Sequence, residues 1–189
     1  MFAMLILLAI TLAFGNPPAV TSSEGSLADV HQVREELHAL AGRQHWGGMT
    51  RKWYALQELG AEFSVDELIL GAQIERHNGR VSQAYNLLRE AARKGAGRSV
   101  IDLLWEIDSG YGRVILTTEP SRPAVLTAAV MPIVPDQRVS VELAQETTAA
   151  GAVFEGMLPS GSYTFASHSF QVSPGPRTVR ITVAPLGDE

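Results

Sequence analysis

Two amphipathic segments that meet at a glycine dominate the middle of the chain, and they constrain its fold most. Between residues 64 and 94, apolar side chains recur at steps of three and four, the spacing that places them on one face of a helix. The first segment carries Val65, Leu68, Ile69, Ala72 and Ile74, and the second carries Val81, Ala84, Tyr85, Leu87, Leu88 and Ala91. Two such faces, joined through His77-Asn78-Gly79, predict a helical hairpin.

Local signals indicate where these two helices begin and end. Ser64 has Glu67 three residues later, an arrangement in which each side chain accepts a hydrogen bond from the other residue's backbone N–H. Gly79 suits the left-handed residue that commonly ends a helix. The second helix is predicted over residues 80–94, before the Gly95-Ala96-Gly97 run.

Three further helices are predicted around the hairpin. Apolar residues at helical spacing indicate helices over residues 27–41, 49–59 and 99–108. Glycines separate these segments from their neighbours, as expected of helix ends. Residues 27–110 are therefore predicted to form a helical domain of about five helices.

The hairpin resembles a tetratricopeptide repeat. With Ala72 at the small position of the first helix, Leu68 takes the large apolar position before it, and Gly79 takes the turn glycine. The second-helix positions that pack back are then Ala84, Leu88 and Ala91. The resemblance implies closely packed helix pairs with a concave surface that holds a peptide or helix. Glu75 departs from the family, which prefers an aromatic residue there.

Beyond Gly110 the sequence pattern changes from helical to alternating, and proline becomes frequent. Candidate strands cover residues 113–118, 124–130, 138–143, 152–157, 162–166, 169–172 and 177–183. Short strands separated by Pro- and Gly-containing turns are typical of an antiparallel β-sandwich. The predicted fold class is therefore α+β in two domains, an all-α domain over residues 27–110 and a small all-β antiparallel sandwich over residues 111–185.

Two phrases in the second domain resemble β modules of the PEGA type and, more loosely, carboxypeptidase-regulatory-like sandwiches. Residues 112–127, GRVILTTEPSRPAVLT, are similar to the entry of a PEGA module, and residues 156–165, GMLPSGSYTF, are similar to its closing turn. The resemblance implies a sandwich fold of the kind found in cell-envelope proteins. These phrases are folding signatures, because proline and glycine set the turn geometry.

The first fifteen residues predict a signal peptide. The apolar run from Met4 to Phe14 is shorter than the roughly 20 residues that span a bilayer, and it has the length of the apolar core of an export signal. Ala13 and Gly15 supply small residues before a cut after Gly15. Residues 16–26 are predicted to be a linker. The predicted location is periplasmic or extracellular; the alternatives are a buried N-terminal helix and an uncleaved membrane anchor.

Charge and cysteine content exclude several functional classes. The net charge of −5 is mild, and no basic stripe of the kind that binds nucleic acid is visible, so nucleic acid is not an expected partner. The chain has no cysteine, which excludes disulfides, thiolate metal sites and cysteine nucleophiles. A membrane is an expected partner only if the N-terminal segment stays uncleaved.

No group of side chains predicts catalysis. His31, His38 and His45 are seven residues apart, and on one helix this spacing separates neighbours by roughly 11 Å, too far for one metal ion. Glu106 and Asp108 are two apart on a predicted helix and point to different sides. The chain is therefore interpreted as non-enzymatic, with no catalytic, metal or cofactor site.

Aromatic residues supply the candidate contacts with a partner. Trp46 lies outside the apolar stripes, and Tyr54 lies in the same aromatic-rich region of the helical domain. Tyr163 and Phe165 share one side of a predicted strand, where they form either a buried row or an aromatic face for sugar rings. The predicted function is a protein–protein interaction module or scaffold of the bacterial cell envelope, with a protein or peptide partner on the helical domain. The alternative is a carbohydrate- or peptidoglycan-binding protein that uses the β-sandwich.

Overall fold

The computed structural model describes residues 22–184. The predicted signal peptide, residues 1–15, and residues 16–21 of the predicted linker lie outside the described residues. The first helix begins at Ser22, so residues 22–26 belong to it and not to a linker. No helix in the described part of the chain combines the length and the apolar character needed to cross a membrane.

Five helices form the N-terminal part of the molecule. They are α1 (Ser22–Ala41), α2 (Trp46–Glu58), α3 (Val65–His77), α4 (Val81–Arg93) and α5 (Arg98–Gly110). The predicted start signal of α3 is confirmed, because Ser64 and Glu67 form the reciprocal capping pair. Gly79 follows α3 with a φ of +75°, the left-handed conformation that glycine adopts without strain.

The hairpin α3–α4 is packed as its small residues predict. Ala72 and Ala84 are buried in one cluster with Leu68 and Leu88, and this cluster forms the centre of the helical part. A second cluster joins α1, α2 and α3 around the buried Trp53. A Cβ atom on Gly71 would lie 2.4 Å from the indole ring of Trp53, so α3 approaches α2 closely only because this residue is a glycine.

The C-terminal part contains two three-stranded sheets. Its strands are β1 (Tyr111–Thr118), β2 (Leu126–Ala128), β3 (Phe154–Pro159), β4 (Gly161–Phe165), β5 (His168–Val172) and β6 (Gly175–Val183). The first sheet has the order β3-β1-β6 and the second has the order β2-β4-β5. Their apolar inner faces meet in one buried cluster. The predicted two-part α+β layout is thus confirmed, and one strand pair differs from the antiparallel expectation, because β1 and β6 run parallel.

One predicted strand is wrong. Residues 138–143 belong to a helix, α6 (Pro135–Ala149), which lies between β2 and β3 in the chain. The alternation of Val139, Val141 and Leu143 suggested a strand, but the side chains that α6 buries are Ser140, Val141, Ala144 and Thr148, at helical spacing. Pro135 starts the helix at a position where its missing N–H costs nothing.

The two parts share a packed junction. The last residue of α5, Gly110, is followed directly by β1, and its carbonyl accepts a hydrogen bond from the Ser160 N–H at 2.9 Å. Tyr111 of β1 and Met157 of β3 are buried in the same cluster as the α3–α4 hairpin. The helical part therefore completes its core with side chains from the first sheet.

Helix α6 adds a second contact between the parts. A Cβ atom on Gly79 would lie 2.7 Å from the carbonyl oxygen of Val139, so the α3–α4 turn sits directly on the backbone of α6. The Arg76 guanidinium, mostly buried, contacts Glu106 of α5 at 2.8 Å and Asp136 of α6 at 3.4 Å. These contacts hold the turn of the hairpin against the C-terminal part.

Candidate functional site

The outer face of α4 forms the floor of the main concave surface, which we call the α4 groove. Ser82, Gln83 and Asn86 face away from the buried side of α4, where Val81, Ala84, Leu88 and Ala91 lie. The groove has a helical flank on one side of this floor and a sheet flank on the other. Gln83 and Asn86 line both flanks, so the surface is continuous across the helix.

The helical flank is a cleft of about 530 Å³. Tyr54 and Gln57 of α2 line one side of it, and Arg80, Glu90 and Arg93 line it from α4 and its N-cap. The lining is polar and carries both signs of charge. The cleft therefore presents hydrogen-bond donors and acceptors to a ligand and is not an apolar pocket.

A buried carboxylate lies at the base of this flank. Glu75 of α3 is only 3% exposed, and its two oxygens accept hydrogen bonds from Trp53 Nε1 and the Tyr54 hydroxyl, each at 3.1 Å. Arg80 Nη1 lies 3.9 Å from the same carboxylate and also donates to the Tyr54 hydroxyl. Burial raises the pKa of Tyr54 above its usual value, and the neighbouring Glu75 carboxylate raises it further. The network fixes the Tyr54 ring in the wall of the groove.

The sheet flank is a cleft of about 380 Å³ between α4 and the outer face of the first sheet. β1 supplies Arg113 and Ile115, β3 supplies Glu155, and β6 supplies Thr178. The Arg113 guanidinium lies 5.6 Å from the centre of the Tyr85 ring on α4, which ties the sheet to the floor of the groove. The junction between the two parts thus forms this half of the groove.

The lining of the α4 groove is rich in amide side chains. Its amide side chains, Gln57, Gln83 and Asn86, each carry a donor and an acceptor, the combination that a peptide backbone requires. Within residues 22–184, no three His, Asp or Glu side chains lie close enough together to hold a metal ion.

Two of the four predicted contact residues, Tyr54 and Trp46, lie in the helical part, and only Tyr54 lines the groove. Tyr54 lines the α4 groove. Trp46 packs over the end of the hairpin, because its ring stacks on His77 at 4.3 Å between centres and 16° between planes. Trp46 is not among the residues that form the groove.

The expectation that Tyr163 and Phe165 contact a partner is corrected by their burial. They are 3% and 1% exposed, and both belong to the core between the two sheets. The Tyr163 hydroxyl donates to the Pro159 carbonyl oxygen at 2.9 Å. Alternation along β4 does place the two rings on one side, but that side faces inward.

Four of the other polar residues considered from the sequence, His31, His45, Glu106 and Asp108, have structural partners. His45 accepts a hydrogen bond from the Gly48 N–H at 3.0 Å and caps α2, and His31 lies 3.8 Å from Glu35. Glu106 pairs with Arg76, and Asp108 accepts from the Tyr85 hydroxyl at 3.2 Å. The two carboxylates thus contact different helices and form no acid–base pair.

Sequence reasoning missed most of the groove residues. A polar stripe at steps of three and four, Gln83, Asn86, Glu90 and Arg93, is visible on α4 opposite its apolar face. Such a stripe is normal for any surface helix. Its significance depends on the sheet beside it, which a local pattern does not reveal.

The chain matches no protein-family model, and it has no significant match among the curated proteins or among the solved structures.

Proposed function

We propose that this chain is a non-enzymatic interaction scaffold that holds an extended peptide segment of another protein in the α4 groove. The observation that carries the proposal is the continuity of the groove across α4, from Tyr54 on one flank to Glu155 on the other. A surface formed by helices and a sheet together is longer than either part alone offers. It suits an extended ligand better than a small molecule.

The chemistry of the lining supports a peptide as the ligand. Gln83 and Asn86 at the centre of the floor offer amide groups to a backbone, while Arg80, Arg93 and Glu155 offer charges to side chains. The likeness of the α3–α4 hairpin to a tetratricopeptide repeat supports the same proposal, because such hairpins present concave faces to peptides or helices.

The alternative, a glycan-binding β-sandwich, has less support. It depended on an aromatic face containing Tyr163 and Phe165, whose rings are buried. Phe170 is half-buried and stacks on Tyr163 at 5.7 Å, which leaves no broad aromatic surface among these three rings. We retain glycan binding as an outcome that the experiment distinguishes.

We propose the cell envelope of a bacterium, outside the cytoplasmic membrane, as the place of action. The apolar run from Met4 to Phe14 supports export, as does the likeness of residues 112–127 to an envelope-associated β module. Fractionation and N-terminal sequencing of the mature chain test this. A chain that keeps Met1 and fractionates with the cytoplasm contradicts export.

Selection from a displayed library of random twelve-residue peptides tests the scaffold proposal. We expect the full chain to enrich peptides whose affinity falls at least about tenfold when Gln83 and Asn86 are both changed to Arg, because two bulky cations block the floor of the groove. The matched control is Gln73→Arg, an exposed position on α3 that does not line the groove. It should leave the affinities unchanged.

Two results contradict the proposal. One is the absence of enriched peptides, and the other is equal binding by the wild-type chain and the groove variant. In a parallel experiment, the chain and its groove variant are each mixed with purified peptidoglycan sacculi, and the fraction that sediments with the sacculi is measured. Retention of the chain on sacculi, unaffected by the groove variant, favours the glycan-binding alternative.

A further inference from the structure

We propose that the outer edge of β6 binds an acidic, extended segment of a partner protein by adding it as a fourth strand to the first sheet. This inference goes beyond the α4 groove, to which β6 contributes only the side chain of Thr178. The two sites can therefore be tested with different variants.

β6 is the longest strand that the structure describes, and it is an edge strand of the first sheet. Seven of its nine residues, Gly175 and Thr178–Val183, pair with β1, and within residues 22–184 no strand pairs with the other side. At the opposite edge of the same sheet α6 packs against β3, whereas β6 has a smaller contact with α5. Strands at the edge of a sheet present backbone N–H and C=O groups that readily pair with another chain.

The side chains along this edge are cationic. Residues 172–184 contain Arg177 and Arg180 and no Asp or Glu. Both arginines are exposed, and neither forms an ion pair within the described part of the chain. An extended segment that carries carboxylates would neutralise them.

The charge of β6 also argues against a second copy as the occupant. Pairing two β6 edges brings four arginine side chains into one interface that contains no carboxylate from either strand. Like charges on facing strands are destabilising. The same repulsion excludes basic segments, so the edge selects for acidic ones.

The spacing of the arginines specifies the ligand further. Arg180 lies in the regularly paired stretch of β6, Thr178–Val183, and Arg177 directly precedes that stretch. Alternation from Arg177 onward places the two side chains, three residues apart, on opposite faces of the strand. The residues opposite them on an added strand are also three apart, whichever direction that strand runs. Pro176 has no N–H to donate, and regular pairing with β1 begins at Thr178, so the usable edge is Thr178–Val183 with Arg177 directly before it. The preferred ligand is thus a segment of about seven residues with Glu or Asp at positions i and i+3.

Three labelled peptides with the full chain test the proposal by fluorescence anisotropy. The first alternates Val and Thr and has two Glu residues three apart, and the second has Lys at both Glu positions. The third is the Glu peptide with N-methyl groups on alternate backbone nitrogens, prepared in both registers, on the odd-numbered or on the even-numbered nitrogens. We expect saturable binding of the Glu peptide, at least about tenfold weaker binding of the Lys peptide, and loss of binding on N-methylation of the residues that pair.

Variants of the chain provide the matched controls. Arg177→Glu with Arg180→Glu should reverse the preference, so that the Lys peptide binds more tightly than the Glu peptide. Arg89→Glu with Arg98→Glu changes the net charge by the same amount at exposed helical positions and should leave the preference unchanged. Thermal unfolding of each variant shows whether it is folded. The comparison of the three peptides on the wild-type chain tests the proposal even if a variant fails to fold.

Three results would overturn the proposal. They are no saturable binding of the Glu peptide up to millimolar concentrations, equal affinity for the Glu and Lys peptides, and full binding of the N-methylated Glu peptide in both N-methyl registers. The last result would mean electrostatic attraction without strand addition. The Gln83 and Asn86 groove variant should bind the Glu peptide normally, so failure of the groove proposal and failure of this one give different results.

Discussion

Two buried tyrosines differ in a single hydrogen bond. The Tyr163 hydroxyl donates to the Pro159 carbonyl oxygen, whereas the buried Tyr111 hydroxyl has no hydrogen-bond partner among the described residues. Tyr163→Phe should lower the free energy of unfolding by about 1 kcal/mol, because it leaves a buried carbonyl without its donor. Tyr111→Phe should leave it unchanged or raise it by up to about 1 kcal/mol. Urea unfolding of the two variants gives both values; a larger loss for Tyr111→Phe contradicts this expectation.

Tyr111 also predicts a dependence of stability on alkaline pH. Burial raises its pKa to about 12, with Arg76 opposing the shift and Asp136 and Glu106 adding to it. Above the ordinary tyrosine pKa of about 10, the folded chain keeps a proton that the unfolded chain has lost. This stabilising contribution is complete below pH 10 and falls as the pH rises towards 12. Tyr111→Phe should therefore lose less stability than the wild type over that interval, measured by urea unfolding at successive pH values.

The Glu75 carboxylate is the central acceptor of the polar network at the base of the α4 groove. Glu75→Ala leaves Trp53 Nε1 buried without an acceptor and should lower the free energy of unfolding by about 3 kcal/mol. Glu75→Gln keeps a carbonyl oxygen for the indole N–H and should cost only about 1 kcal/mol. Glu58→Ala, at an exposed position of α2, is the control and should stay within about 0.5 kcal/mol of wild type. Equal losses for Ala and Gln would mean that the acceptor is unimportant.

At the scale of elements, the turn between α3 and α4 couples the hairpin to α6. Gly79→Ala places a Cβ 2.7 Å from the Val139 carbonyl oxygen and also forces alanine into a left-handed conformation, so it should destabilise by about 3 kcal/mol. Gly60 has a similar φ of +66° with nothing within 4 Å of its Cβ position. Gly60→Ala should therefore cost only about 1 kcal/mol. Urea unfolding gives the loss of unfolding free energy for each variant, and the difference between them measures the contact with α6. Equal losses would show that α6 shifts to accommodate the added Cβ without loss of stability.

The helices could be predicted because their signals are local. The Ser64–Glu67 pair, Gly79 and the apolar stripes act within a few residues of one another. α6 was missed because Val139, Val141 and Leu143 alternate as a strand does, while the burial of Ser140 and Thr148 depends on the sheets around them. Their hydroxyls donate to carbonyl oxygens of α6 itself, from Ser140 to Gln137 and from Thr148 to Ala144. The pattern of apolar residues does not predict the burial of a polar residue whose hydroxyl is hydrogen-bonded within its own helix.

The site was predictable only in part, for the same reason. Tyr54 was identified as a contact residue, but its position in the wall depends on Glu75, 21 residues away. The sheet flank depends on Arg113 reaching Tyr85 across the junction. Contacts over such separations follow from how the helices and sheets pack on one another, which the spacing of residues within one element does not determine.

At the scale of the whole molecule, a shared core predicts that the two parts unfold together. Tyr111 and Met157, from the first sheet, complete the cluster around the α3–α4 hairpin. Leu158, the next residue of β3, points the other way and is buried between the two sheets. A substitution at Leu158 therefore damages only the sandwich core directly, and any effect on the helices has to pass through the junction.

Leu158→Ala tests this coupling, because all three tryptophans, Trp46, Trp53 and Trp105, lie in the helical part. Truncating a fully buried leucine costs about 2–5 kcal/mol. If the parts unfold as one unit, tryptophan fluorescence should report that whole loss, and its urea midpoint should coincide with the midpoint from far-ultraviolet circular dichroism. An unshifted fluorescence transition beside a shifted circular dichroism transition would show that the helices stay folded after the sandwich opens. In that case the sheet flank of the α4 groove would be lost while the helical flank remained.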